Sequence, residues 1–94
     1  MVSLDTLEAY YETIEKDNRV GTVHISLYMA LLFACSKSGI NPFELERKEM
    51  MKSAKINARS TFDICINELK EFGYIGYEPS KGAGVKSRVF LKKL

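Results

Sequence analysis

"KINARSTFDICINELKEFGYI", Lys55 to Ile75, holds the strongest structural signal in the chain. Its small polar residues and its arginine all stand at the front. Phe62, Cys65, Ile66, Leu69 and Phe72 then recur at i, i+3, i+4, i+7 and i+10, the strongest helical period in the chain. That spacing predicts a helix from about Ala58 to Phe72 with one face in a core. Gly73 follows as the left-handed residue at which helices end. A polar front on an apolar flank asks for two environments, a packed core for the flank and an open surface for the first turn.

Working outward, the residues before this helix form a short one. "ERKEMMKSA", residues 46–54, points Met50 and Met51 inward, and "KIN" turns the chain. Before it, "INPFEL" reads as a loop or a short extended piece, because Pro42 moves Asn41 away from helical backbone angles. From about His24 to Ser38, "HISLYMALLFACSKS" is apolar around most of its girth, as a central helix is, and Gly39 ends it. Residues 3–17 predict a first helix, with Ser3 or Asp5 at its start and Leu4, Leu7, Tyr11 and Ile14 in one stripe. After Gly73 the period changes to two. "YIGYEP" and "VKSRVFL" are strand-like, and "SKGAG" between them permits a tight reversal.

The expected fold is therefore mainly α with a C-terminal β-hairpin, an α+β chain. Its order is that of a winged helix-turn-helix with an extra N-terminal helix. Ninety-four residues make one domain, with residues 1–18 as N-terminal helix, 24–72 as helical core and 73–94 as wing.

Charge is unevenly spread. Residues 1–46 carry three Lys/Arg against seven Asp/Glu, and residues 47–94 carry eleven against five. A basic end beside an acidic one is what contact with nucleic acid through one face requires. A first helical turn suits that contact. Arg59 has the planar fork that matches guanine or phosphate, Ser60 and Thr61 are small donors, and free amides attract phosphate. Lys55 and Asn57 lie at the turn. Lys81, Lys86 and Arg88 lie on the hairpin, where they track the DNA backbone or serve as edge charges that keep strands apart.

"ARSTFDICINELKEFGYI" is similar to the recognition-helix signature of winged-helix transcription regulators, through Arg59, Ser60, Thr61, Phe62, Cys65, Ile66, Leu69, Gly73 and Ile75. "HISLYMALLFACSKSGINPFELERKEMMKSAKI" with "YIGYEPSKGAGVKSRVFL" resembles small winged-helix regulators of phages and mobile elements of gut bacteria, over about residues 18–91. The resemblance implies a sequence-specific module for double-stranded DNA. Three features depart from the family pattern. Five residues separate Ile56 from Phe62, Ala58 stands where Ser or Thr commonly caps, and Asp63 is an acid where a base or neutral residue is usual. Asp63 repels phosphate yet can accept a bond from a cytosine amino group. Asn57 is the alternative cap, or the residue that takes the left-handed turn.

Other chemistries lack their residues. "KGAGVKS" has Val85 where a phosphate loop needs Gly before Lys. His24 is the only histidine and has no metal-ligand motif around it. Cys35 and Cys65 fall in apolar helical patterns and read as buried thiols of a reducing cytoplasm. No enzyme, cofactor or metal is expected. The start of the chain lacks the basic head and apolar stretch of a secretory leader, and no run approaches a membrane span. The N-terminal stripe either covers the chain's own core or pairs with a second copy as a homodimer. An adaptor module in a replication or recombination assembly is the competing function.

Overall fold

The computed structural model describes residues 4–80, 82 and 86–92, with the side chain of Thr6 excepted. Four helices come first, interrupted by one strand: α1 (Leu4–Lys16), α2 (Thr22–Ser38), β1 (Phe43–Leu45), α3 (Arg47–Ala54) and α4 (Arg59–Glu71). Two strands close the order, β2 (Ile75–Glu78) and β3 (Ser87–Leu91). The chain is mainly helical with a small antiparallel sheet, as its periodicities predict.

The hairpin has a third strand. "FEL", expected as a loop or short extended piece, pairs antiparallel with β3, so the sheet runs β1-β3-β2. Phe43 lies opposite Val89, and Tyr77 lies opposite Val89 from the other side. Asn41 continues the ladder with its side chain. Its Nδ2 donates to the Leu91 carbonyl and its Oδ1 accepts from the Leu91 amide, each at 2.9 Å. The alternation is regular: Phe43, Leu45, Ile75, Tyr77, Val89 and Leu91 are buried, and Glu44, Glu78, Arg88 and Phe90 face out.

One core joins the sheet to the helices. From α2 it takes Leu27, Tyr28 and Leu31, from α4 Phe62, Ile66 and Leu69, and from the strands Ile75 and Val89. Met50 is buried and Met51 partly so. Ser26 Oγ donates to the Ala54 carbonyl and fixes α2 against the end of α3.

The loop after α1 is locked to the sheet. Asp17 accepts from the Arg19 guanidinium at 2.8 Å and from the Tyr74 hydroxyl at 2.7 Å. The Arg19 guanidinium lies 4.5 Å from the centre of the Phe72 ring. These bonds, the Arg19 donor foremost, hold the Asp17 carboxyl well below its usual range. Burial, and the bond to Asp17, push the Tyr74 hydroxyl up to about 12. Tyr10 and Tyr74 flank Tyr28 edge-on, and burial raises the Tyr28 hydroxyl.

The α1 stripe splits. Ile14 is buried and Leu7 packs against the core, whereas Leu4 is 70% and Tyr11 52% exposed. Half of the stripe covers the chain's own core and half does not. No helix among the described residues is long and apolar enough to cross a membrane.

Candidate nucleic-acid interface

The turn between α3 and α4 is made by a residue that its type does not announce. Lys55 adopts φ 62°, ψ 37°, the left-handed region, and its amide donates to the Lys52 and Met51 carbonyls. Asn57, the residue whose type suits that conformation, does not take it. The Ile56 amide bonds to the Met51 carbonyl at 2.9 Å and Ile56 is buried, which pins the turn from below. Asn57 and Ala58 are left outside.

Ala58 occupies the N-cap of α4 in an extended conformation, and no side chain caps the helix. Asn57 does not substitute for the missing Ser or Thr. The first-turn amides of α4 therefore keep their donor capacity for an incoming acceptor. Arg59 and Ser60 are exposed and Thr61 half-buried, while Phe62, Cys65, Ile66 and Leu69 are buried. The split between a polar front and a buried flank is thus present in three dimensions.

The start of α2 opens onto the same place. Thr22, Val23 and Ser26 join Lys55, Asn57 and Thr61 around an open recess of about 460 Å3. No side chain caps the start of α4, whereas at the start of α2 the His24 side chain accepts from the Gly21 amide. No described residue of α1 lines the recess.

Asp63 sits between two guanidiniums. Its Oδ2 lies 3.9 Å from Arg59 Nε and its Oδ1 3.7 Å from Arg47 Nε. Arg47 Nε is buried without a hydrogen-bond partner, so this carboxylate is its nearest compensation. Asp63 is thereby tied to holding arginines as well as being a candidate acceptor for a base. Arg47 belongs to the site, and nothing in its local sequence says so. It reaches Asp63 across two helices, and a pair formed by tertiary packing leaves no periodic trace.

Of Lys81, Lys86 and Arg88, two lie among the described residues. Lys86 is exposed just before β3. Arg88 is exposed too, but it faces Glu44 on one neighbouring strand and Glu78 on the other, directly in register. The third strand is the reason: with β3 in the middle of the sheet, Arg88 gains a carboxylate on each side and its field at a phosphate is weakened. Lys81 lies outside the described residues.

A second cluster joins residues far apart in sequence. Single ligand atoms of His24, Cys65 and Glu68 lie within 4.8 Å of one another. The imidazole, however, is already committed at both nitrogens. Nδ1 accepts from the Gly21 amide at 2.9 Å, which puts the ring proton on Nε2, 3.0 Å from Glu68 Oε1. A metal on Nε2 would move that proton to Nδ1, against the Gly21 N–H. The geometry is that of a helix start tied to α4. Burial also raises the Cys35 and Cys65 thiols, so neither is poised as a thiolate.

No known protein family matches the chain, and no curated protein or solved structure is found to be similar to it.

Proposed function

We propose that this chain binds double-stranded DNA in a sequence-specific manner, with the first turn of α4 in the major groove, and that it acts as a transcription regulator. The observation that carries the reading is the first turn itself. Arg59, Ser60 and Thr61 stand exposed or half-exposed on an uncapped helix start, beside Lys55 and the recess at the start of α2, while Phe62, Cys65, Ile66 and Leu69 of the same helix are buried in the core. A helix entering the groove meets base edges with this part. Arg59 reads guanine or grips phosphate, Ser60 and Thr61 take phosphate or base edges, and Lys55, Lys81 and Lys86 follow the backbone. Asn57 borders the turn, and Arg88, between two acids, is a weaker contact. The setting of a phage or mobile element rests on the sequence resemblance alone. Two free cysteines fit a cytoplasmic protein.

A gel-shift series on genomic fragments tests the reading. Selective retardation of some fragments supports it, and no duplex binding at low salt contradicts it. Arg59→Ala weakens binding to a selected site by about 1–3 kcal/mol if the arginine reads a base. An equal loss on every sequence makes it a phosphate anchor.

The half-open stripe of α1 favours a second reading, a protein-interaction module in a larger assembly. Leu4 and Tyr11 are also what a homodimer through α1 would bury, and light scattering on the full chain and on a chain lacking residues 1–18 reads that directly.

A further inference from the structure

Between α1 and α2 the described residues leave open an apolar surface that duplex binding by α4 does not use. Leu7 and Tyr11 of α1 and Met29 of α2 line an open groove of about 410 Å3, with Glu8 and Glu12 as its remaining lining. Leu4, one turn before Glu8, is 70% exposed. Exposed leucine and tyrosine beside a methionine, with polar groups only at the rim, is the composition of an interaction surface rather than of a solvated helix face.

The rim has one sign. Asp5, Glu8, Glu12 and Glu15 are exposed at spacings of three and four residues, so each carboxylate repels its neighbour along α1. Among the described residues none of the four has a cation within ion-pairing distance; the pairs found are those of Asp17, Glu68 and Asp63. Among the described residues no base lines the groove. The helix therefore presents a row of acids next to exposed apolar side chains, with Lys16, one turn after Glu12, as its single base.

That charge discriminates between occupants. A two-fold pair centred on the groove sets the same patch against itself, which would bring the Glu8 and Glu12 carboxylates of both copies together. Like charges across an interface oppose it. We infer that the groove between α1 and α2 docks a cationic amphipathic segment of another protein, with apolar side chains seated on Leu7, Tyr11 and Met29 and Lys or Arg paired to Glu8 and Glu12. Helix-in-groove recognition has this form. The inference is independent of the DNA reading. No described residue of α1 lines the recess at α4, so the two surfaces do not overlap.

The test uses the full chain and two labelled synthetic helical peptides, one of leucine and lysine at amphipathic spacing and a twin with glutamate for lysine. Fluorescence anisotropy is expected to show binding of the lysine peptide only. Tyr11→Ala is expected to weaken it by about tenfold, and Glu8→Lys with Glu12→Lys to abolish it. All three positions are exposed, and an unchanged melting temperature confirms the fold of each variant. Amide shifts on lysine-peptide addition are expected along α1 and at Met29. Equal binding of both peptides, retention of affinity in the charge-reversed variant, or shifts confined to other surfaces would overturn the inference. So would a full-length dimer in light scattering that Tyr11→Ala dissociates, since the second copy would then be the occupant.

Discussion

Asp63 follows Arg59 by one helical turn and faces Arg47 from α3, so its substitution separates two roles. If it holds the arginines, Asp63→Asn releases two guanidiniums and removes a charge that repels phosphate. Affinity for unselected duplexes then rises several-fold while discrimination between sequences falls, as competition binding would show. Loss of affinity for the selected site alone would instead make Asp63 a base-reading residue. Lys55 allows a similar separation. Its left-handed backbone is strained for any residue but glycine. Lys55→Gly is expected to leave stability unchanged or raise it by no more than about 1 kcal/mol. Duplex affinity should nevertheless fall uniformly across sequences, because a phosphate contact is lost.

Among the elements, α4 was the most legible from sequence, because Phe62, Cys65, Ile66 and Leu69 repeat on one face and all are buried. β1 was the least legible. Three alternating residues after a proline are too short a run to mark a strand, and Phe43–Leu45 becomes one only through β3, more than forty residues later. The same long-range pairing changed the standing of Arg88. The site was readable where it is local, in Arg59, Ser60 and Thr61, and unreadable where packing makes it, in Arg47 and the left-handed Lys55. The loop joining α1 to α2 can be tested through its carboxylate. The Asp17 carboxyl is held below its usual range chiefly by Arg19 and then by Tyr74. Its contribution is present above the ordinary carboxylate range and is lost as pH falls toward the lowered value. Asp17→Asn should therefore lower the melting temperature near neutrality and show a smaller difference from the parent chain in strong acid. A constant difference across that range would mean that the charge is not what matters.

Over the whole molecule the charge is divided, acidic along α1 and basic around the turn and wing. Duplex binding should be strongly salt-dependent. If Lys55, Arg59, Lys81 and Lys86 engage about four phosphates, log K falls with log salt at a slope near −3.6, taking about −0.9 for each. Lys86→Ala should reduce the slope by about 0.9. Arg88→Ala should leave it nearly unchanged, because Glu44 and Glu78 flank that arginine. In the proposed complex the same division would keep α1 away from the phosphates and leave it open to a partner.

The central claim is that the first turn of α4 meets the duplex, and a titration of the amide spectrum with a short DNA duplex at low salt tests it most directly. Shifts concentrated at Lys55 through Thr61, with a lesser set around Lys86 and reversal on adding salt, are the predicted result. A spectrum that stays unchanged, or one that moves along α1 while Arg59 and Ser60 remain still, would contradict it.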